Sequence, residues 1–375
     1  MGLYREGLFE TAAARFEEYL LRWPEGERAP QALFLQGECL FQSHNWDASR
    51  RAMQRFVAKY PVHQFSDEAW LRIGQSYFEG HKPAEALRTF QQMTAACPDS
   101  PLEGDILYWT GEAALAADDT SRALEAYREL LELHPDNEYA PWAAFAVGFI
   151  HEGRHDTTAA LAAYQTLWEN YPRSTPAASA RYRAGLLWYY QGDRQDAFRA
   201  LKTVIESEVE PEMKRHSRFL LAEIAFQAER FAEAAKYYRA VLAEDSIRDP
   251  AQQAYFALGW MAGKRGDWGE AAGLFTFAAE RFPAGTLGTQ ALFEAGSALL
   301  KAGDPDRAVA TWRRVAELYP ATETAGNALR EVGRELFRQG GYEAAALALE
   351  EAVKTPLDSA SRAEVYRLLS ATLQS

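Results

Sequence analysis

Apolar and polar positions along the chain alternate with a helical period, and the helical pattern itself recurs at a step of 37 residues. One grid of small residues carries that step: Gly37, Gly74, Gly111, Gly148, Gly185, Gly259, Gly296 and Gly333, with Ala222 at the point between them and Ser370 at the next. A small residue is what a close crossing of two helices requires. Twelve residues on runs a second small series, from Ala12, Ser49 and Ala86 to Ala308 and Ala345. Four residues later come large side chains: Phe16, Met53, Phe90, Tyr127, Tyr164, Leu201, Tyr238, Phe275, Trp312 and Leu349. These are the knobs expected on a buried helical face. Pro24, Pro61, Pro98, Pro135, Pro172, Pro283 and Pro320 then end that helix, because proline lacks the N–H and clashes with the preceding turn.

Each unit therefore predicts a helix A, a short turn, a helix B and a proline-marked loop. Turn segments such as QGDRQDA, RGDWGEA and AGDPDRA carry the expected Gly, Asp and Pro. The spacing predicts a single repeat array over 1–375: a leading helix B at 8–23, nine A/B units over about 27–355, and a closing helix A at 359–372. No such unit buries its apolar face alone, so neighbours must stack into an all-α solenoid. Val209 and Ser246 stand where prolines are expected, and Pro211 and Pro250 fall off the grid. That marks an altered joint around 207–252, read either as drifted loops or as a hinge. The front of the chain starts partway through a unit, which predicts an excised repeat region.

The segments AWLRIGQSYFEGHKPAEALRTFQQMTAACP (69–98) and AYFALGWMAGKRGDWGEAAGLFTFAAERFP (254–283) show a large residue, a glycine, an aromatic, a turn, an alanine, an aromatic and a proline in order. This pattern resembles the tetratricopeptide repeat family over essentially the whole chain, although the step is longer than that family's usual, about 34. The resemblance implies a right-handed α-solenoid, or superhelix, of helix A/helix B hairpins. The loops YPRSTPAASARY, FPAGTLGTQALF and YPATETAGNALR look like the subtype in bacterial envelope proteins, such as the Tol-Pal-associated coordinator and the outer-membrane assembly lipoprotein. That likeness implies a periplasmic or outer-membrane-associated place, with the cytoplasm as the alternative.

Composition narrows the function classes. With 53 acidic against 40 basic residues the formal net charge is −13, and no basic run is interleaved with aromatics, so nucleic acid is not an expected partner. No apolar run reaches the ~20 residues that span a bilayer, and MGLYREGLFE is too polar for a signal peptide. The two cysteines, Cys39 and Cys97, form no disulfide framework or zinc pattern.

One stretch does carry a catalytic pattern. His151, Glu152, Gly153, Arg154 and His155 spell His-Glu-x-x-His, the zinc-peptidase arrangement. That chemistry needs both histidines on one helical face. On the grid, His155 falls seven residues past Gly148, where the other units hold His44, His81, Asp118, Gly192, Glu229, Gly266, Gly303 and Gly340. This is the predicted A–B turn, so the helix is expected to stop inside the motif. A histidine there suits the negative end of the helix dipole. No enzyme, catalytic residue, metal or cofactor is predicted.

The family resemblance implies that the A helices line a concave groove that captures peptides or proteins. Trp142, Phe149, Tyr189, Tyr190 and Trp260 are large aromatics at groove-facing places, typical of interaction anchors. They are read either as a binding surface or as rings packed on one another. Aromatics three before the grid, such as Phe34, Tyr108, Phe145 and Phe256, are read as packing between adjacent A helices. Along the same face Glu38, Glu79 and Glu112 precede Lys264, Lys301, Arg334 and Arg338, so an acidic end and a basic end are expected. The expected function is a non-enzymatic protein–protein interaction scaffold in a bacterial cell-envelope complex. The rival readings are a structural spacer that self-associates through the array ends, and a polysaccharide or small-ligand binder using the aromatic groove.

Overall fold

The computed structural model describes residues 2–244, 250–283 and 287–374, and all regular structure among them is helical. The chain divides into two compact units, Met1–Leu187 and Trp188–Ser375. In the first unit a single turn α1 (Gly2–Arg5) precedes α2 (Phe9–Arg22), α3 (Ala29–Gln42), α4 (Trp46–Lys59) and α5 (Ser66–Glu79). It continues with α6 (Pro83–Ala96), α7 (Glu103–Ala116), α8 (Thr120–Leu133), α9 (Ala140–Gly153) and α10 (Thr157–Asn170). The division falls inside α11 (Thr175–Gln191) rather than at the altered joint.

The second unit holds α12 (Arg194–Glu206), α13 (Pro211–Gln227), α14 (Phe231–Glu244), α15 (Ala251–Arg265) and α16 (Trp268–Arg281). It ends with α17 (Gly288–Lys301), α18 (Pro305–Leu318), α19 (Glu323–Arg338), α20 (Tyr342–Val353) and α21 (Ser359–Leu373). Odd-numbered helices from α3 on are A helices and even-numbered ones are B helices. Successive helices from α1 to α10, and from α12 to α21, pack on one another, as the stacked-hairpin reading requires. No described helix is long and apolar enough to cross a membrane.

The grid glycines have a direct physical cause. A Cβ built on Gly74 would sit 2.1 Å from the Phe90 ring, and on Gly111 and Gly148 2.4 Å from the rings of Tyr127 and Tyr164. Gly37, Gly259, Gly296 and Gly333 meet Met53, Phe275, Trp312 and Leu349 in the same way. The knob sixteen residues on thus presses into the backbone of its own helix A. Nine of the ten knobs, from Met53 to Leu349, are 5 % exposed or less; Phe16 is half-buried. The aromatics three before the grid pack both on this knob and towards the next helix A. Phe145 meets Tyr164 at 5.8 Å between centroids and Phe256 meets Phe275 at 5.2 Å. Tyr108 stacks on Tyr139, at the start of the next helix A, at 4.4 Å, closer than its knob Tyr127 at 6.2 Å, and Phe34 stacks on Phe65 at 4.7 Å.

The A–B turn repeats one backbone geometry. His44, His81, Asp118, His155 and Glu229 all have φ between 56° and 60°, and glycine fills the same place at Gly7, Gly192, Gly266, Gly303 and Gly340. Each closes its helix with a left-handed residue, after which the next N–H reaches five residues back, as in Asp156 N to His151 O at 3.0 Å. The histidines are there for backbone conformation, which His and Asp tolerate better than most residues. The dipole argument is not needed.

Helix B stops at the residue before the grid proline in all seven cases, for instance Lys59 then Tyr60 and Pro61, because that residue is pushed out of the helical region. The Tyr171 and Tyr319 hydroxyls then donate to the carbonyls of Pro135 and Pro283, one repeat back, at 2.9 Å. At the altered joint, Pro211 is the first residue of α13 and Pro250 caps α15. Both off-grid prolines stand at the start of an A helix instead of ending a B helix, and at Pro211 the first helical position suits proline's fixed φ and absent N–H. Val209 lies in the link between α12 and α13, and Ser246 lies outside the described residues.

Candidate partner-binding face

Side chains one, four and five places past each grid position flank the tight A–B crossing and edge the face carried by the A helices. In the first unit Glu38 on α3 accepts two bonds from Arg72 on α5, at 2.6 and 3.0 Å. The Arg72 guanidinium also stands 4.2 Å over the Phe41 ring and donates to Gln75 at 2.7 Å. The arrangement recurs further along the unit. Arg183 on α11 donates to Glu152 at 3.0 Å and stands 4.7 Å over Phe149. It also donates to the Tyr164 hydroxyl at 3.1 Å, which itself donates to Glu152 at 2.8 Å. In both places an arginine from one A helix is seated on a carboxylate and an aromatic of the A helix before it. Such bidentate or stacked seating favours Arg over Lys.

The tyrosine knobs reach this face from behind. Tyr127 donates to Glu112 at 2.6 Å, and Tyr238 donates to Glu223. Burial first, and the facing carboxylates second, push the hydroxyls of Tyr127, Tyr164 and Tyr238 far above the ordinary tyrosine range. Glu112 is therefore half-buried and engaged from within, and Glu79 is half-buried. Trp142 and Phe149, both on α9, are 44% and 45% exposed.

In the second unit Tyr189 and Tyr190 meet edge to face at 5.5 Å, with Tyr190 77% exposed. Arg194 stands 4.7 Å over Tyr189 and donates to Gln227 at 2.9 Å. Trp260 is 36% exposed and packs on Phe226 and Phe231 at 5.1 and 5.7 Å, with the Lys264 ammonium 4.6 Å from its ring. The Lys301 ammonium stands 4.4 Å over Trp268. Arg334 pairs with Glu331 at 2.6 Å and with Glu364 at 2.5 Å, and Arg338 pairs with Glu335 at 2.7 Å. Three of the seven charged groups that set the polarity along the sequence are therefore ion-paired locally. Arg72 neutralises Glu38, and carboxylates on α19 and α21 neutralise Arg334 and Arg338. Among the described residues, Lys264 and Lys301 have no carboxylate within 4.0 Å.

Sequence reasoning missed Arg72, Arg183, Phe41 and Trp268. The arginine place, two before the grid glycine, holds Arg only in these two units, so no period announces it. The eight grid glycines were legible, and Gly185 is buried like the others.

The His-Glu-x-x-His motif is taken apart by the fold. Helix α9 ends at Gly153, and His155 lies in the turn at φ 59°, so the two histidines do not share a helical face. His151 approaches Arg128 at 3.3 Å and Asp156 at 3.8 Å, while Glu152 is held by Tyr164 and Arg183. Among the described residues no group of three or more His, Cys, Asp or Glu is placed to hold a metal ion. Cys39 and Cys97 are free, and burial pushes both thiols up to about 11.

Comparisons with known proteins follow the same lines. No curated protein matches the chain. Among solved structures it is similar to a tetratricopeptide repeat protein from Parabacteroides merdae, at 16% identity over 72% of this chain and 99% of that one, TM-score 0.41. It is also similar to yeast Tom70, at 12% identity over 100% and 94% of the two chains, TM-score 0.38. A third is YrrB, described as having an unusual peptide-binding site, at 18% identity over 55% and 98%, TM-score 0.43. The family profile "Tetratricopeptide repeat" matches residues 1–63, 40–101, 71–138, 182–252, 219–286, 256–323 and 293–361. The stretch between, with α9 and α10, keeps the same turn and the same Gly148–Tyr164 contact. With profile, period and hairpin geometry in agreement, the chain belongs to the tetratricopeptide repeat family.

Proposed function

We propose that the chain is a non-enzymatic interaction scaffold whose A-helix face holds a peptide or protein partner. Members of the family generally act as protein-interaction scaffolds. The observation that carries the reading here is the solvent-facing aromatics on the A helices of each unit taken by itself, Trp142 and Phe149 in the first and Tyr190 and Trp260 in the second. Large rings left in water are costly unless a partner covers them, and they supply contact area at low entropy cost. Their neighbours on the same face are tied down in ion pairs and ring contacts, which pre-organises the surface.

We further propose that the partner belongs to a bacterial envelope complex, in the periplasm or at the outer membrane. The likeness of the loops after Pro172, Pro283 and Pro320 to the envelope subtype supports this. The test is capture from an envelope extract and, separately, from a cytoplasmic extract. One protein retained by the wild type and lost with Tyr189→Ala/Trp260→Ala, at unchanged helical circular dichroism, supports the scaffold. Retention only from the cytoplasmic extract overturns the envelope assignment alone, and capture insensitive to the variant overturns the face.

A second reading, self-association, is favoured by Phe16. This knob lines a cavity of about 340 Å³ with Leu3, Tyr19 and Leu35. If copies meet there, sedimentation will depend on concentration in the wild type and not in Phe16→Glu.

A further inference from the structure

One register of the A helices, five places past the grid glycine, holds a cation in three successive repeats: Lys264, Lys301 and Arg338. Arg338 is occupied by Glu335 on its own helix. Lys264 and Lys301 are exposed, and among the described residues neither has a carboxylate within 4.0 Å. The carboxylates next to Lys264 along the chain, Asp267 and Glu270, are both taken by Arg265, at 2.9 and 2.6 Å. Glu294, on the helix of Lys301, is not within 4.0 Å of its ammonium, and burial pushes its carboxyl up against the opposing pull of Lys301.

Each ammonium stands instead over an indole, Lys264 over Trp260 at 4.6 Å and Lys301 over Trp268 at 4.4 Å. The two indoles belong to one surface. Trp268 lies so close over Gly263, the residue before Lys264, that a Cβ there would sit 2.9 Å from its ring. Trp260 and Lys264 on α15, Trp268 on α16 and Lys301 on α17 are thus linked into one strip through the Trp268–Gly263 contact, with no carboxylate within 4.0 Å of either ammonium among the described residues, on a chain whose net charge is −13.

We propose that this strip binds an extended acidic segment of a partner protein, with carboxylates three residues apart on Lys264 and Lys301 and apolar side chains against Trp260 and Trp268. The proposal rests on the partner-binding reading of this face and supplies the partner's chemistry. Packed helices stand about 8–10 Å apart, and an extended chain advances about 3.3 Å per residue. Every third residue of the segment therefore meets the next repeat. A carboxylate arriving at an ammonium that already lies on an indole completes a charge-assisted bond without displacing an internal partner.

The test is fluorescence anisotropy on the full chain with a labelled peptide of four Glu-Leu-Pro repeats, whose prolines keep it extended. The comparison peptides are an isomer with its glutamates grouped at one end, and versions with Gln or Lys for Glu. The spaced acidic peptide is expected to bind about tenfold or more tighter than the grouped one, a gap of about 1.4 kcal/mol. Lys264→Glu/Lys301→Glu is expected to remove that binding. Lys202→Glu/Lys236→Glu, an equal charge change on the B helices α12 and α14, is expected to leave it intact. Equal affinity for spaced and grouped peptides overturns the proposal, as does indifference to the Lys264/Lys301 reversal. Preference for the Gln or Lys peptide, lost in Trp260→Ala, overturns the acidic partner but leaves the partner-binding face standing. Failure of every peptide, together with Trp260-independent capture from extracts, overturns both.

Discussion

Gly74 and His155 show how much of this fold is decided one residue at a time. A methyl on Gly74 would lie 2.1 Å from Phe90, whereas on Gly259 it would lie 2.9 Å from Phe275. Gly74→Ala is therefore expected to cost about 1–3 kcal/mol in urea unfolding, and Gly259→Ala less. Adding Phe90→Leu to Gly74→Ala should recover part of the loss. Ala222 shows that the penalty is local, since Tyr238 beside it is fully buried all the same. At the A–B turn the logic runs the other way. Glu229 holds φ 57° with a side chain unsuited to it, and Glu229→Gly should raise stability by about 1 kcal/mol. His155→Gly should gain less, because His occupies that region more readily. Thermal unfolding of the two variants checks the order.

At the scale of elements, the A–B hairpin is locked by a buried hydroxyl as well as by shape. Tyr127→Phe would leave the ring packed on Gly111 but strip Glu112 of its partner, a loss of about 1 kcal/mol. The same contacts dictate a pH dependence. Folded Tyr127, Tyr164 and Tyr238 hold their protons far above the ordinary tyrosine range, so folding binds protons that the unfolded chain gives up. Their contribution is complete below about pH 10 and is lost as pH rises beyond it. Stability should therefore fall in strong alkali, with the tyrosinate absorbance of these three appearing only on unfolding. The triple Phe variant should show a shallower alkaline loss; an equally steep one would contradict the assignment.

At the scale of the whole molecule, a chain of short-range contacts in two compact units has no single core through which to unfold. The calorimetric unfolding enthalpy is expected to exceed the van't Hoff value, and coincidence of the two would argue against independent cooperative units. Function sits at this scale as well, since no single hairpin carries the face. Trp260 draws on Phe226 from α13 and Phe231 from α14, and Lys301 on α17 meets an indole from α16.

The period of 37, the knob series, the turns and the proline stops were all readable from the chain, because each follows from local sterics that depend on residue type at a fixed offset. Of the five aromatics named from the sequence, Trp142, Phe149, Tyr190 and Trp260 are exposed, while Tyr189 is half-buried between Tyr190 and Arg194. Which charges remain free was not legible. The sequence marks Glu38, Arg334 and Arg338 as charged no less than Lys264 and Lys301, yet the first three are ion-paired and, among the described residues, the last two have no carboxylate within 4.0 Å. Arg72 reaches Glu38 across 34 residues, and Glu364 reaches Arg334 across 30. The local pattern determined the scaffold; pairing between neighbouring repeats, which only stacking brings within reach, decided which groups on its face are left for a partner.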